Sequence, residues 1–116
     1  MEIQCKDIGQ IVVARPLAKR IDASCSVDFK TKLNELIMDG NNYIALNLSL
    51  VEFLDSSGLG VIVTCAKGVK ARQGHLVIFG LTISVSNLFR LTAMDKVFEI
   101  FHDEDDAVKA LEAKIG

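Results

Sequence analysis

The feature that most constrains the fold is a short apolar run at residues 76–79, Leu-Val-Ile-Phe, which lies between Gly74-His75 and Gly80. A nearly continuous apolar run bounded by turn-forming residues is typical of a strand that is buried on both faces, as in a largely parallel sheet. Parallel strands need long crossover connections, which are usually helices. The run therefore predicts an α/β domain.

The remainder of the chain supplies the alternating strands and helices that such a sheet requires. Apolar and β-branched runs predict strands at residues 1–8, 10–15, 43–48, 75–79 and 97–101. Helical spacing predicts four helices, which begin after a cap at Ser24 or Ser26, at Ser57, before Val85 and at the acidic residues 103–106. The order ββαβαβαβα predicts a single domain over residues 1–116, with a mostly parallel mixed sheet of four or five strands and about four helices.

Composition excludes several classes of protein. The net charge of −2 lacks the basic excess of a nucleic-acid binder, and no apolar run is long enough to cross a bilayer. The first residues lack the pattern of a signal peptide, and the three cysteines form no CxxC or Cys/His cluster. We therefore expect a cytoplasmic protein with no metal, no cofactor, and no direct contact with nucleic acid or membrane.

Residues 53–60, Phe-Leu-Asp-Ser-Ser-Gly-Leu-Gly, form the stretch with the clearest chemical character, since they join a predicted strand to a predicted helix. A new helix leaves its first backbone N–H groups unpaired, and these carry a partial positive charge. The side chain of Asp55 or Ser56 can cap them, which would leave the Ser57 hydroxyl free to face solvent. Three connectors, residues 19–26, 49–57 and 80–84, should share the carboxyl edge of the sheet, where functional loops lie.

The turn could act as a modification site. A phosphate on Ser57 would add a charge of about −1.5 to −2, which a helix N-terminus tolerates. A partner pressed against the same turn near Asp55 and Asp22 would not tolerate that charge. Gly58 and Gly60 would keep side chains away from this surface, so that another protein could approach the backbone. The alternative, which the residues leave open, is that the turn is only a capping cluster.

Enzymatic roles find little support in the sequence. An α/β-hydrolase elbow needs G-x-S-x-G, but the leading glycine is missing before Ser57, and neither His75 nor His102 has a spacing that predicts contact with it. Gly58-Leu59-Gly60 resembles the start of a dinucleotide fingerprint, yet position 63 is valine and no Walker lysine follows. The carboxylates at 103–106 suit a solvated helix start. We expect a protein that is not an enzyme.

The turn at residues 55–60, together with residues 80–82 and 91–98, resembles the signature of the anti-sigma factor antagonists of the STAS domain family. The resemblance covers essentially the whole chain, including the order of its elements. It implies a mechanism called partner switching. In that mechanism the unphosphorylated antagonist binds an anti-sigma factor, which is also a serine kinase of the GHKL ATPase fold, and so releases the sigma factor.

The resemblance also implies the roles of particular residues. The kinase phosphorylates the second serine of the turn, Ser57 here, which dissociates the complex, and a PPM-type serine phosphatase resets the antagonist. Asp22 in the neighbouring loop helps to frame the acceptor. The rest of the acceptor turn would form the partner-binding surface: Asp55, Ser56, Gly58, Leu59 and Gly60.

Two departures from the family pattern border the expected binding edge. Ile83 stands where many members have proline, and a glycine that is common at Lys19, or just before Arg20, is absent. Two alternative functions remain: a STAS scaffold subunit of a larger signalling or transport assembly, and a small-ligand or nucleotide-binding domain that uses the helix start as an anion site. The intact acceptor turn favours the regulatory switch.

Overall fold

The computed structural model describes residues 1–115, which form an α/β domain with four α-helices. The strands are β1 (Ile3–Ile8), β2 (Ile11–Pro16), β3 (Arg20–Ile21), β4 (Tyr43–Asn47), β5 (Phe53–Leu54), β6 (His75–Phe79) and β7 (Ile100–Phe101). The helices are α1 (Ser26–Met38), α2 (Ser56–Ala71), α3 (Ile83–Leu91) and α4 (Glu104–Glu112), and a 3-10 turn spans Met94–Lys96.

The main sheet has five strands in the order β1-β2-β4-β6-β7. β1 pairs antiparallel with β2, and all other pairs in this sheet are parallel. β6 lies between β4 and β7, and its residues 76–79 are all buried. The predicted fold class, a mostly parallel mixed sheet with four helices, is therefore confirmed.

The helices cover the two faces of the sheet with separate apolar clusters. On one face α1 and α2 lie side by side, and the cluster beneath them includes Phe29, Leu33 and Ile62. On the other face Ala107 and Leu111 of α4 pack against the sheet. In the part of the chain that the structure describes, no helix combines the length and apolar character needed to span a membrane.

The structure differs from the predicted elements where those elements are short. β3 and β5 contain two residues each and pair in parallel, apart from the main sheet. Two residues are too few to show any periodicity, which explains why both were missed. The last strand covers only Ile100–Phe101, because the 3-10 turn at Met94–Lys96 and an irregular segment take up the residues before it.

The predicted cap of the first helix is wrong. Helix α1 begins at Ser26, and the flanking residue Cys25 makes no side-chain cap. The Ser24 hydroxyl instead donates to Asp22 Oδ1 at 2.5 Å, within the loop that precedes the helix. Short polar side chains hydrogen-bond readily to near neighbours in loops. Ser24 makes such a bond to Asp22 and does not cap α1.

The three connectors that follow β2, β4 and β6 meet at one edge of the domain, as predicted from the parallel order. The backbone N–H of Glu52 donates to the carbonyl oxygen of Lys19 at 2.8 Å, which ties the first connector to the second. The Thr82 hydroxyl donates to the carbonyl oxygen of Val51 at 2.8 Å, which ties the third to the second. The turn at residues 55–57 therefore sits in a cross-linked set of loops.

Candidate functional site

The short strand pair β3–β5 positions the turn at the start of α2. Arg20 pairs with Phe53 and Ile21 with Leu54, and the guanidinium carbon of Arg20 lies 4.1 Å from the centre of the Phe53 ring. The pairing continues one step further, because the N–H of Asp55 donates to the carbonyl oxygen of Ile21 at 3.2 Å. Asp55 thus leaves the strand with an extended backbone, which is the conformation that an N-cap residue needs.

Asp55, one of the two caps that the sequence allowed, is the N-cap of α2. Its Oδ1 atom accepts from the N–H groups of Ser57 and Gly58, each at 3.0 Å. The same oxygen also accepts from the Ser57 hydroxyl at 2.6 Å. The expectation that this hydroxyl is free is therefore wrong, because a serine two residues after an aspartate cap reaches the capping carboxylate.

These bonds lower the pKa of Asp55 below its ordinary value. The Ser57 hydroxyl is the largest cause, the N–H of Gly58 adds to it, and the N–H groups of Ser57 and Ala23 contribute less. Partial burial opposes the shift. Asp55 is therefore ionised at neutral pH and can only accept hydrogen bonds. It holds the Ser57 proton, while the lone pairs of the Ser57 oxygen take no part in this bond.

The acceptor turn is open to solvent on its outer side. Ser56 is exposed, Ser57 is partly exposed, and Gly60 is exposed with no atom within 4 Å of the position of a Cβ. The Ser57 hydroxyl therefore lies at the surface. The first turn of α2 contains no acidic residue, so only the Asp55 cap offsets the positive end of the helix dipole.

Gly58 has a different role from the one predicted. It is buried, and a Cβ there would lie 2.6 Å from Leu54 Cδ1, 2.9 Å from Ile21 Cγ2 and 3.0 Å from the carbonyl oxygen of Ile21. Its missing side chain therefore lets α2 start close against β3 and β5, and does not clear a path for a partner. Leu59 is also buried, at 8% exposure, and packs into the core.

Asp22 lies in the adjacent loop, near Asp55 but not bonded to Ser57. Its Oδ1 accepts from the hydroxyl and the N–H of Ser24, at 2.5 and 3.0 Å, and its Oδ2 lies 3.7 Å from Arg20 Nε. The Ser24 bonds are the main cause of a lowered pKa for Asp22, which Arg20 reinforces and the Asp55 carboxylate opposes. Asp22 thus adds a second negative charge to the surroundings of the turn.

Sequence reasoning missed the exposed apolar side chains around the turn. Ile83, the first residue of α3, is 83% exposed, while Phe53 and Leu50 are 39% and 40% exposed. All three belong to the connectors or to the short elements that adjoin them, and α3 packs beside β5. We call this surface the acceptor edge: Leu50, Phe53, Ser56, Ser57 and Ile83. A large apolar residue in a predicted polar loop is the signal that could have found it.

The two histidines lie in different places relative to Ser57. His75 opens β6, at the edge of the sheet opposite the connectors. His102 follows β7 and is exposed, beside Gly80 and Ser86. The bond that the Ser57 hydroxyl donates goes to Asp55, so the arrangement differs from a serine–histidine pair.

Comparison with known proteins assigns the chain to a family. Residues 2–107 match the STAS domain. The chain belongs to the STAS domain family. The resemblance noted in the acceptor turn is therefore confirmed.

Known proteins are similar to this chain over most of their length. The Listeria monocytogenes protein named anti-sigma-B factor antagonist is 31% identical over 106 residues, which is 91% of each chain. A crystal structure of an anti-sigma factor antagonist from Mycobacterium paratuberculosis superposes with a TM-score of 0.86 at 21% identity, covering 96% of this chain and 93% of that one.

Solved structures of SpoIIAA in two states of modification share the fold of this chain. The anti-sigma factor antagonist SpoIIAA in its unphosphorylated form has a TM-score of 0.79 at 19% identity, and covers 99% of this chain and 100% of its own. The Bacillus SpoIIAA in the phosphorylated form has a TM-score of 0.69, also at 19% identity, with 94% and 98% coverage. At this identity the likeness is one of fold.

Proposed function

We propose that this protein is an anti-sigma factor antagonist that works by partner switching in the cytoplasm. The unphosphorylated form binds an anti-sigma factor, a serine kinase of the GHKL ATPase fold, and releases a sigma factor. Phosphorylation of Ser57 dissociates the complex with the anti-sigma factor, and a PPM-type phosphatase restores the unphosphorylated form. The observation that carries the proposal is the Ser57 hydroxyl, placed at a solvent-facing helix start and bonded to an ionised carboxylate at 2.6 Å.

The relatives support the proposal that this protein antagonises an anti-sigma factor. The Listeria protein that shares 31% identity over nearly the whole chain is named for antagonism of an anti-sigma factor. A protein with this fold, SpoIIAA, exists in both phosphorylated and unphosphorylated forms. A switch at the acceptor turn accounts for both facts in terms of residues that this chain possesses.

The acceptor edge offers a partner both apolar contacts and the acceptor. Phe53 of β5 and Ile83 of the adjacent α3 present large exposed side chains, and aromatic side chains are enriched in the centres of protein interfaces. Ser56 and Ser57 are small and polar, so the kinase can bring its active site close to the Ser57 oxygen. Docking and phosphorylation thus use one surface.

Phosphorylation would weaken docking through charge. The modified Ser57 has no proton to donate to Asp55, and it adds a charge of about −1.5 to −2 close to the carboxylates of Asp55 and Asp22. The positive end of the α2 dipole favours an anion at this position, so the fold tolerates the phosphate. A partner that covers the turn must desolvate this concentrated charge, which is costly without new cations.

The test is reconstitution with the GHKL-fold serine kinase encoded in the same genome. Wild-type protein should bind the kinase and take up one phosphate, as measured by gel filtration and intact mass. Ser57→Ala should bind without taking up phosphate, and the matched control Ser56→Ala should be labelled normally. Ser57→Asp should bind at least about tenfold more weakly, a loss of about 1.4 kcal/mol.

Two results would contradict the proposal at different levels. Full labelling of Ser57→Ala, with loss of labelling in Ser56→Ala, would move the acceptor to the neighbouring serine. Failure of the unphosphorylated wild-type protein to bind any GHKL-fold kinase of its genome would remove the partner-switching function itself.

A further inference from the structure

A second site lies far from the acceptor turn, against the last turns of α2. A groove of about 370 Å³ runs between the carboxyl-terminal half of α2, the first residues of β6 and the segment 97–99. Small-molecule sites in proteins typically have volumes of about 300–1,000 Å³. We call this feature the α2 groove. It is lined by the apolar residues Val63, Ala66, Leu76, Val97 and Phe98 and by the polar residues Lys67, Lys70, His75 and Glu99, with Gly74 at its end.

The floor of the α2 groove is apolar and firmly held. Leu76 and Phe98 are buried, and Val63 and Ala66 of α2 are half-buried and pack against the core. Val97 also lines the groove and is 65% exposed. A ligand with an apolar body would remove this side chain from water, which is favourable.

The rim of the α2 groove is cationic. Lys67 and Lys70 are three residues apart on α2, so they lie on the same side of the helix, and both are exposed. Among residues 1–115, no carboxylate lies within ion-pair distance of either lysine. The one acidic residue of the groove, Glu99, is held by Lys114 at 3.1 Å.

We propose that the α2 groove binds a small carboxylate with an apolar body, such as a medium-chain fatty acid or an aryl-alkyl acid. The apolar part would lie between Ala66 and Val97, and the carboxylate would meet the ammonium groups of Lys67 and Lys70. The lysines, which lack a carboxylate partner in the described chain, select an anion, and the limited volume selects a small molecule. The site is distinct from the acceptor turn, because Lys70 lies in the last turn of α2 and Ser57 in the first.

The experiment uses the full, isotope-labelled chain and sodium decanoate below its micelle concentration, followed by two-dimensional NMR. We expect saturable shifts centred on Ala66, Val97 and His75. Decanol, which lacks the charge, and acetate, which lacks the apolar body, should each bind at least about tenfold more weakly. Decyltrimethylammonium, with the opposite charge, should not bind in the groove.

Variants then assign the roles of the groove residues. The double variant Lys67→Glu with Lys70→Glu should weaken decanoate binding at least about tenfold. A matched double variant on other helices, Lys30→Glu with Lys109→Glu, has the same net charge and should bind as the wild type does. Val97→Asp, at an exposed position that tolerates a polar residue, should also abolish binding.

Each other outcome overturns the inference. Decanoate that causes no saturable shifts, that binds no better than decanol, or that shifts residues outside the groove would exclude the proposed ligand class. Equal losses of decanoate affinity in the Lys67/Lys70 variant and in its charge-matched control would show that decanoate responds only to the net charge of the protein. Ser57→Ala should bind decanoate normally, since the inference does not depend on the acceptor turn.

Discussion

The two ends of α2 are built from the same helix but face different neighbours. At its start, Asp55 supplies the negative cap and the first three residues of the helix are small. At its end, Lys70 lies in the last turn, where a cation offsets the negative end of the helix dipole. The start is held against one side chain of β5 and a side chain and carbonyl of β3, whereas the chain just beyond the end is held against the backbone of Asn42.

This difference shows how one helix can offer two kinds of surface. The start lies among connectors cross-linked by hydrogen bonds, and its outer side is broad and open, which suits a protein partner. The end adjoins a recess with a cationic rim, which suits a small anion. In both regions a glycine allows two backbone segments to lie close together: Gly58 at the start of α2 and Gly74 just beyond its end. Substitutions at these glycines test how tightly each region is packed.

The largest loss of stability is expected at the end of α2, from Gly74→Ala. A Cβ at this position would lie 1.9 Å from the carbonyl oxygen of Asn42, which also accepts from the N–H of His75 at 2.8 Å. The backbone must therefore move, and this hydrogen bond must weaken. We expect the free energy of unfolding to fall by about 3 kcal/mol or more, as measured by urea denaturation.

The matched control for Gly74 is Gly68→Ala, within α2. The nearest atom to its Cβ would be Ile37 Cδ1 at 3.9 Å, an ordinary contact. Alanine is the better helix former by about 1 kcal/mol, so this variant should be slightly more stable than the wild type. Unchanged stability of Gly74→Ala would show that the chain beyond α2 is less tightly packed than the start of the helix.

A smaller loss is expected at the start of α2, from Gly58→Ala. Two of the three close atoms belong to the side chains of Leu54 and Ile21, which can adjust in part, although the carbonyl oxygen of Ile21 cannot easily move. We expect a loss of about 1–3 kcal/mol in urea denaturation. Gly60→Ala, with open space around its Cβ, should gain up to about 1 kcal/mol. Equal effects of the two alanines would contradict the packing described for Gly58.

A still smaller effect is expected from removal of the cap. Asp55→Ala removes the acceptor of two N–H bonds and of the Ser57 hydroxyl bond, and should lower the midpoint of thermal unfolding by about 5 °C. Asp55→Asn retains a capping oxygen and should lower it less. If the asparagine variant loses as much as the alanine variant, charge matters more than hydrogen bonding at this end of the helix.

The weakest effect is a pH dependence of that same cap. The pKa of Asp55 is lower in the folded protein than its unfolded value of about 3.9, so ionised Asp55 stabilises the fold above that pH. The stabilisation is lost as the pH falls through the folded pKa. The stability difference between wild type and Asp55→Asn should therefore shrink below about pH 4 in acid titrations followed by circular dichroism. A difference that stays constant with pH would contradict the lowered pKa.

Much of the fold could be predicted because its signals are local. The apolar run at residues 76–79 identified a buried interior strand, and the alternation of elements identified the parallel sheet. Asp55 could be named as one of two possible caps because a capping side chain acts on N–H groups only two and three residues away. These interactions depend on a few consecutive residues, which a sequence displays directly.

The missing parts of the site depend on residues that are distant in sequence. The role of Gly58 becomes clear only when Ile21, which precedes it by more than thirty positions, is seen against it. The α2 groove likewise combines Lys67 with Val97. The Ser57–Asp55 bond is local, but the same residues allow a free hydroxyl, and only the geometry distinguishes the two arrangements.

The hydrogen bonds that join the three connectors have a consequence for the rate at which a partner binds. Lys19, Val51 and Thr82 fasten the loops to one another before any partner arrives, so these loops have little conformational freedom left to lose. Association at this edge should then resemble the docking of rigid bodies, with an entropic penalty that comes chiefly from overall translation and rotation. Thr82→Val would remove the hydrogen bond to Val51 together with the cap of α3, and should slow association while leaving Ser57 itself unchanged.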